Sequence, residues 1–356
     1  MPASKPATIG LTSSLANLPE LPLVSVIVPI RNESGYIEGC LRSIQLSDWP
    51  TDRMEIVVVD GMSTDDTVEV VERMMRTDAR IRLLTNPARV QTSAMNIGIR
   101  EARGDIILRV DGHAEVLPDY VRNSVSELVR RPECWCVGGV VETINDTEIG
   151  HIIAAAQSCP VGVGNSRFRI GGDAGYADTV PFGAYWKWVF ERIGLYDEEL
   201  VRNEDDELNA RLLQNGGKIF LTPRIRSRYF SRSTLRKLWN QYYQYGVWRI
   251  RTIQKRGSAS LRYMVPMVFV TAAVAATAAA ILSPALRPLS MAFALAYLTA
   301  LLIGAVMVGR RTGFAGFLLA PVVFATLHFS YGFGSLFGIF WFGILRRRTL
   351  RHGMSR

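Results

Sequence analysis

Asp60 is the first residue whose type and position suit chemistry in this 356-residue chain. It follows the apolar run at residues 54–59 (MEIVVV), which is typical of a buried strand, and it precedes a helical pattern from Thr67. A carboxylate at such a strand end can accept hydrogen bonds from the base or ribose of a nucleotide. The alternative role is a helix N-cap, for which Asp65 and Asp66 are better placed.

The tripeptide Asp111-Gly112-His113 follows another apolar run, residues 105–110 (DIILRV). Side chains at i and i+2 leave a strand on the same side, so the carboxylate and the imidazole can reach one ligand. This pair suits Mn²⁺ or Mg²⁺, because diphosphate oxygens and water would complete the coordination. The cation would act as a Lewis acid on a departing diphosphate. Taken alone, the same tripeptide also fits an ordinary turn.

Four consecutive acids, Glu204-Asp205-Asp206-Glu207, begin a helical pattern with Leu208 and Leu212 on its apolar face. Acids in a first helical turn oppose the macrodipole favourably, by about 0.3–1 kcal/mol each, which is a purely structural explanation. The functional explanation is a general base that deprotonates an acceptor hydroxyl, since crowding raises the pKa of a carboxylate.

Strands and helices alternate through the first third of the chain, which predicts βαβ units, a mostly parallel Rossmann-like sheet and an α/β fold. The carboxyl ends of parallel strands share one edge of a sheet, where ligands bind. Three of these ends carry polar clusters, at residues 31–33, at Asp60 and at residues 111–113. The predicted strands are residues 23–30, 54–59, 81–84 and 105–110, and the predicted helices are residues 33–45, 67–75 and 92–103.

Beyond residue 120 the pattern is less regular. Residues 136–141 predict another strand, residues 162–175 a mobile glycine-rich loop, and residues 198–214 a helix that contains the four acids.

The net charge of +9 does not indicate nucleic-acid binding, because the cations flank an apolar block and no aromatic-basic RNA motif is present. Cations beside apolar segments suit anionic lipid headgroups and the positive-inside rule. We therefore predict membrane lipids as partners and no nucleic acid. The four cysteines show no metal spacing and indicate a reducing compartment.

An apolar C-terminal region predicts membrane crossing. Residues 263–282 and 288–308 each approach the ~20 residues that a bilayer requires. Residues 314–345 are too long for one simple span, so a tilted helix and a re-entrant hairpin are both open. A hairpin returns Arg346–Arg348 to the side of Arg310 and is favoured for that reason. The predicted divisions are a disordered leader (1–21), a catalytic domain (22–232), an amphipathic membrane-surface helix (233–260), a transmembrane region (261–345) and a basic cytoplasmic tail (346–356).

Taken in order, the motifs resemble family 2 glycosyltransferases of the GT-A fold, and among them the bacterial succinoglycan-type exopolysaccharide glucosyltransferases. The resemblance covers roughly residues 24–256. The segments that carry it are VSVIVPIRNE, VVVDGMSTDDT, NPARVQTSAMNIGI, ARGDIILRVDGH, FERIGLYDEEL and NEDDELNARLLQNGGKI.

The resemblance implies roles for individual residues in an inverting, single-displacement transfer. Asp205 falls on the base position, with Asp206 as its rival, and Asp111 is the first acid of the D-x-D metal motif. His113 stands where the second Asp usually lies, which leaves the metal, Mn²⁺ or Mg²⁺, open. The nucleotide-sugar contacts that it implies are Pro29, Arg31, Asn32, Glu33, Asp60, Arg89 and Asp111.

Aromatic residues suggest an acceptor site. Tyr185 and Trp186 precede the acidic helix, and Trp248 lies in the basic helix near the apolar region. Aromatic faces stack on sugar rings, although packing in a core explains such residues equally well. The Gln-x-x-Arg-Trp motif of processive members of the family is missing, so repeated addition through a channel is not expected.

The predicted function is transfer of a sugar, glucose from UDP-glucose, to a lipid-linked saccharide in exopolysaccharide or cell-surface glycan synthesis. The enzyme is predicted to be a multi-pass protein of the cell membrane with a cytoplasmic catalytic domain. Two alternatives remain at this stage: transfer to polyprenyl phosphate itself, and a membrane-bound sugar-nucleotide-binding subunit without catalysis.

Overall fold

A computed structural model describes residues 21–257 and 261–347. The chain divides into two compact units. The sheet unit holds the chain up to Glu142 together with Gly171–Tyr229, and the helical unit holds Thr143–Ile170 together with the chain from Phe230. The predicted catalytic domain, 22–232, thus differs from the sheet unit at residues 143–170 and 230–232. Nearly all of the predicted leader and tail lies outside the described residues.

The described residues form nine strands in one sheet, in the order β3-β2-β1-β4-β8-β6-β9-β5, with β7 beside β9. Strands β1 to β4 are parallel, and β8 joins both β4 and β6 antiparallel. The strands are β1 (Val24–Ile30), β2 (Met54–Asp60), β3 (Ile81–Thr85), β4 (Ile106–Arg109), β5 (Ala114–Val116), β6 (Cys134–Ile144), β7 (Gly175–Ala177), β8 (Ala184–Trp186) and β9 (Lys218–Phe230).

Helices connect the parallel strands, as the alternating pattern predicts. Helix α1 buries Ile37, Leu41 and Ile44, the stripe expected from the sequence, although it begins at Ile37 rather than at residue 33. The helices of the sheet unit are α1 (Ile37–Gln45), α2 (Thr67–Met75), α3 (Gln91–Glu101), α4 (Tyr120–Arg130), α8 (Lys187–Ile193) and α9 (Glu204–Gln214).

The helical unit is built from both stretches of chain that it contains. Its core joins Ile152 and Ile153 to Leu301, Ala305 and Phe324. Short helices occupy part of the predicted glycine-rich loop. The helices of the unit are α5 (Glu148–Gln157), α6 (Pro160–Val163), α7 (Arg167–Ile170), α10 (Leu235–Arg256), α11 (Leu261–Leu282) and α12 (Arg287–Gly338), the last followed by a π-helical turn, Ile339–Ile344.

Two helical stretches are long and apolar enough to cross a membrane by length and composition. Tyr263–Leu282 has a mean hydropathy of 2.2, and Pro284–Ile344 has a mean hydropathy of 2.3. Each meets the length that a bilayer core requires. The length and apolar composition of these helices therefore agree with the sequence prediction.

The long helix α12 breaks at Gly313, where φ is 77° and ψ is −167°. The two halves run antiparallel, because Gly309 lies against Phe317 and Gly304 lies against Phe324. Glycine adopts this positive φ without steric cost, so the chain can reverse there.

The hairpin favoured within residues 314–345 is wrong, because those residues are helical as far as Ile344 and the reversal precedes them. Two glycines in this segment allow close packing against α10. A Cβ at Gly334 would lie 2.1 Å from the backbone oxygen of Tyr243, and one at Gly338 would lie 2.6 Å from that of Val247.

Helix α10 packs lengthwise against the second half of α12. Its rings pair in register with those of α12 and of the π-helical turn that follows it, from Trp239 with Phe333 to Trp248 with Phe342. Gly246 allows this approach, since a Cβ there would lie 2.1 Å from the backbone oxygen of Tyr331. The helix predicted within residues 233–260 is present as α10, with one of its faces buried by protein, and its location on a membrane surface stays a prediction.

Candidate active site

The ends of β1 and β2 are tied together by hydrogen bonds across their polar turns. The backbone N–H of Asn32 donates to Ser63 Oγ (2.9 Å), and Thr64 N–H donates to Asn32 Oδ1 (2.8 Å). Asn32 has a φ of 55°, a left-handed conformation that asparagine tolerates better than most residues. Residues 29–33 and Asp60 are both predicted to bind the nucleotide sugar. They thus lie side by side at the carboxyl edge of the sheet, since Ile30 pairs with Asp60.

Asp60 is buried and organises the turn that follows it. Its carboxylate accepts hydrogen bonds from the backbone N–H of Ser63 (3.1 Å) and from Ser63 Oγ (2.5 Å). Asp65 accepts from the backbone N–H of Thr67 (3.2 Å), the first residue of helix α2, while the N-cap residue Asp66 makes no side-chain cap hydrogen bond. Asp60 is therefore held in a fixed orientation by the turn.

The two arginines predicted to contact the nucleotide sugar, Arg31 and Arg89, lie at the same carboxyl edge. Arg31 reaches the backbone oxygen of Arg89 through Nη1 at 3.5 Å, and Arg89 itself is exposed with a φ of 62°. Pro29 lies within β1, opposite Val59. The structure thus gathers the predicted donor-binding residues from β1, β2 and the loop after β3.

Asp111 follows β4 and accepts hydrogen bonds from two side chains. Arg109 Nε lies 2.9 Å and Gln91 Nε2 lies 3.0 Å from its Oδ1. His113 is buried nearby, with Nδ1 3.0 Å from Glu33 Oε1 and its ring edge-on to Tyr229. Glu33 and His113, predicted for different ligands, are therefore direct partners.

Arg109 was not singled out by the sequence analysis. Its side chain is only 10% exposed, and its Nη1 lies 3.2 Å from Glu204 Oε1. Burial alone would lower the pKa of Arg109, but Asp111 and Glu204 raise it well above its usual value, so the side chain stays charged. The available signal was one cation in an otherwise apolar strand, since a buried charge needs a partner.

The acidic residues lie in the first turn of α9, which begins at Glu204 rather than at residue 198. Asn203 precedes it with a φ of 58°, so the chain turns sharply into the helix. Burial, Asp206 and Glu204 together raise the pKa of Asp205 to about 7, against an opposing effect of Arg109. Asp205 Oδ1 also accepts from the backbone N–H of Asp206 (2.9 Å).

A pKa near 7 equips Asp205 to take a proton under neutral conditions, which is the requirement for a general base. Asp111 and Asp205 are connected through Arg109 and Glu204, although 94 positions separate them in sequence. Asp111 and the acids at residues 204–207 therefore belong to one linked group. Asp60 lies at the carboxyl end of β2, among the parallel strands of the same sheet.

The aromatic acceptor platform is not supported by the structure. Tyr185 is 2% exposed and donates to Asn209 Oδ1 at 2.9 Å, while Trp186 is buried in the same short strand. Trp248 is 1% exposed and packs against Phe342 in the helical unit. These rings have no face available to stack on a sugar, because they are used in packing.

Asp111 and His113 are the candidate ligands for a divalent cation. Among the described residues no group of three His, Cys, Asp or Glu side chains could hold a metal ion. Asp111 and His113 offer one carboxylate and one imidazole, side-chain types that can ligate Mn²⁺ or Mg²⁺ together with diphosphate oxygens and water, and their binding of a cation stays a prediction.

Comparisons with known proteins identify the family. Residues 25–193 match the family described as glycosyl transferase family 2. The chain is 31% identical over 245 residues to the succinoglycan biosynthesis protein ExoA of Rhizobium meliloti, covering 68% of this chain and 74% of the relative. The chain belongs to glycosyltransferase family 2. The resemblance found in the sequence is confirmed.

A second relative comes from Methanococcus voltae, a dolichyl N-acetyl-alpha-D-glucosaminyl phosphate 3-beta-D-2,3-diacetamido-2,3-dideoxy-beta-D-glucuronosyltransferase. It is 30% identical over 253 residues, covering 69% of this chain and 78% of the relative. The enzyme is thus a family 2 glycosyltransferase that transfers a sugar from a nucleotide sugar. The alternative of a non-catalytic subunit is not retained.

The family fold is also that of a solved structure. The mannosyltransferase PcManGT of Pyrobaculum calidifontis, solved with GDP-mannose and Mn²⁺, aligns with a TM-score of 0.58 and 22% identity over 85% of this chain and 86% of that one. The predicted α/β fold of GT-A type, followed by long apolar helices, is confirmed.

Proposed function

We propose that this family 2 enzyme transfers a hexose from a UDP-sugar, UDP-glucose first, to a lipid-linked saccharide, with inversion at the anomeric carbon. The observation that carries the proposal is the link from Asp111, through Arg109, to the acidic turn of α9. It joins a candidate diphosphate site to the helical turn that carries Asp205, whose pKa is raised to about 7.

The donor would lie along the strand ends of the sheet unit. In this proposal residues 29–33 and Asp60 hold the nucleoside, and Arg89 contacts the diphosphate. The exposed position of Arg89 beside Arg31 supports that role, since a diphosphate needs cations that it can reach. Asp111 and His113 would hold a divalent cation, which supplies Lewis-acid stabilisation of the leaving diphosphate.

Asp205 would accept the proton of the acceptor hydroxyl. The hydroxyl oxygen then attacks the anomeric carbon from the face opposite the diphosphate, and the bond from that carbon to the phosphate oxygen breaks. The electron pair leaves with the nucleoside diphosphate, and one displacement inverts the anomeric centre. Asp206, next to Asp205 in the same helical turn, is the rival for the base.

The acceptor is proposed to be lipid-linked, at the cytoplasmic face of the cell membrane. Tyr263–Leu282 and Pro284–Ile344 support this, because both have the length and composition of membrane-crossing helices. The names of the relatives agree with it: one acts on a dolichyl-linked sugar phosphate and the other belongs to succinoglycan biosynthesis.

The test uses the full chain in detergent or lipid nanodiscs. Nucleotide release is measured with UDP-glucose, UDP-galactose, UDP-N-acetylglucosamine and GDP-mannose, each with Mn²⁺, Mg²⁺ or EDTA and with two acceptors, a polyprenyl-diphosphate disaccharide and polyprenyl phosphate. We expect acceptor-dependent release from a UDP-hexose with the disaccharide lipid. Release only with polyprenyl phosphate would move the acceptor to the bare lipid phosphate, and preference for GDP-mannose would overturn the donor assignment.

A further inference from the structure

Arg109 stands out as a charged residue inside an apolar strand. Its neighbours Ile106, Ile107, Leu108 and Val110 are all buried. A guanidinium in such surroundings loses much of its hydration and is stable there only with charged or polar partners. The partners of Arg109 come from two different parts of the chain.

The guanidinium contacts both parts of the chain through different nitrogen atoms. The Nε and Nη2 atoms face the carboxylate of Asp111, at 2.9 and 3.4 Å, while Nη1 faces Glu204 at 3.2 Å. The planar fork of arginine fixes the angle between such contacts, which the single ammonium of lysine does not do. One side chain therefore sets the distance from the end of β4 to the start of α9.

A residue of the loop before α9, Tyr196, also interacts with Arg109. Tyr196 is buried, and its side chain interacts electrostatically with Arg109. Its backbone is held from the other side by Asn96, whose Oδ1 accepts from Tyr196 N–H and whose Nδ2 donates to Tyr196 O, both at 2.9 Å. The loop before the acidic turn is thus held by hydrogen bonds to α3, with the Tyr196 ring interacting with Arg109 of β4.

We propose that Arg109 is a positioning residue for the transfer reaction, which holds the Asp111 carboxylate and the acidic first turn of α9 at a fixed separation. The inference rests on the proposed function, in which Asp111 belongs to the donor side and Asp205 to the acceptor side. Arg109 itself takes no proton and forms no bond to the sugar.

In-line displacement makes this separation important. The base, the acceptor oxygen, the anomeric carbon and the leaving diphosphate must align, and a displacement of about 1 Å lowers the rate by about 100-fold. Gln91 also holds Asp111, so loss of Arg109 would leave the carboxylate in place while freeing its link to Glu204. The expected damage therefore falls more on turnover than on donor binding.

Arg82 provides a matched control within the same sheet. It also joins two acids, with Nη1 2.9 Å from Glu55 Oε2 and Nη2 3.6 Å from Glu101 Oε2. Its partner Glu55 lies five residues before Asp60 in β2, which is about 16 Å along a strand from the carboxyl edge. Arg82 therefore serves the fold without reaching the site.

The experiment compares Arg109→Lys with Arg82→Lys in the full chain. For Arg109→Lys we expect kcat to fall about 10- to 100-fold, the range typical of lost supporting contacts, while the dissociation constant of UDP changes about threefold or less. For Arg82→Lys we expect kcat within about twofold of the wild type, since surface and structural ion pairs away from a site do not enter the rate. Thermal unfolding of each variant is measured beside the kinetics.

A second variant separates position from charge. The double substitution Arg109→Gln with Glu204→Gln removes one cation and one anion, so the net charge is kept and folding is protected. We expect its kcat to stay at least about tenfold below that of the wild type. Recovery of wild-type kcat would mean that Arg109 only neutralises Glu204, and it would overturn the proposal. A folded Arg109→Lys enzyme with unchanged kcat would overturn it as well.

The wild type distinguishes this result from failure of the proposed function. A wild-type enzyme that releases no nucleotide with any donor defeats the proposed transfer, whatever the variants do. An active wild type with an equally active Arg109→Lys variant defeats only the positioning role.

Discussion

Two arginine–carboxylate groups stand at opposite ends of the strands of the sheet unit. At the amino ends, Arg82 joins Glu55 and Glu101, and at the carboxyl ends Arg109 joins Asp111 and Glu204. Each group joins one cation to two acids, although the Glu101 side chain is 56% exposed whereas Asp111 and Glu204 are buried. They differ in what surrounds the acids.

Glu55 is almost completely satisfied by donors. Its carboxylate accepts from Ser25 Oγ (2.6 Å), from the backbone N–H of Arg103 (2.6 Å) and from Arg82. Burial alone would raise the pKa of Glu55, but these hydrogen bonds outweigh it and lower the pKa below its ordinary value. This carboxylate is stable as an anion and has little tendency to take a proton.

Asp205 has the opposite environment. Burial and the neighbouring acids Asp206 and Glu204 raise the pKa of Asp205 to about 7, and Arg109 offsets only part of that effect. The comparison teaches that a buried carboxylate stabilises a fold when donors surround it, and becomes reactive when other acids do.

The largest predicted effect is that of Asp205→Asn. Loss of a general base lowers kcat by about 10²–10⁴-fold, while nucleotide binding stays within about threefold of wild type. Nucleotide release and calorimetric titration with UDP measure the two quantities. If the affinity for UDP falls together with kcat, Asp205 belongs to the donor site. Its contrast with Glu55 would then not be one between a base and a structural carboxylate.

The next effect is on stability rather than on rate. Glu55→Gln removes a charge that accepts several buried hydrogen bonds, so we expect a loss of about 2 kcal/mol in the free energy of unfolding, with kcat within about twofold of wild type. Denaturant unfolding and steady-state kinetics test the pair of outcomes. A large fall in kcat at unchanged stability would show that the amino ends of the strands also influence the reaction.

The pH dependence sharpens the comparison further. Since the pKa of Asp205 is raised to about 7 from 3.8, the folded chain holds the proton longer than the unfolded chain. The contribution of this group to stability is therefore complete below about pH 4 and is lost as the pH rises through about 7. We expect kcat to increase as the pH rises through the same range, because Asp205 loses its proton and can then act as a base.

The check is the difference between wild type and Asp205→Asn in unfolding free energy and in kcat, measured from pH 5 to pH 9. We expect Asp205→Asn to gain stability relative to wild type as the pH rises. Glu55 has the opposite sign, since its lowered pKa gives a contribution that is present at neutral pH and lost in acid. A stability difference that stays constant over this range would contradict the raised pKa of Asp205.

The smallest predicted effect is that of Asp206→Asn. Removing this acid relieves repulsion on Asp205 and lowers the pKa of the base, so we expect kcat to change by about fivefold or less at pH 8. Kinetics at pH 6 and pH 8 measure it, with relatively higher activity at pH 6 than wild type. A loss as large as that of Asp205→Asn would transfer the role of base to Asp206.

Local patterns were enough to predict the strands and the helices that connect them. Helix α2 occupies Thr67–Met75 in both the prediction and the structure, because its apolar stripe and its polar turn are adjacent in sequence. The gathering of Asp60 and residues 31–33 also followed from strand order alone, since carboxyl ends of parallel strands meet at one edge.

Features that depend on distant contacts were not predictable. The partners Arg109 and Glu204 lie 95 positions apart, and Asn203 sets the start of α9 by a left-handed turn that no periodicity announces. Tyr185 is buried because β8 inserts between β4 and β6, an antiparallel pairing made by a three-residue strand. A three-residue strand is too short to carry a periodic signal.

The helical unit is assembled from two separate stretches of chain, and this limits how the protein can be shortened. Ile152 and Ile153 pack with Phe324, so a stop codon placed before α10 would leave the apolar face of α5 without its cover. A shortened protein ending near residue 230 would expose that face and aggregate. A soluble fragment for crystallisation needs polar replacements at Ile152 and Ile153 as well as the truncation.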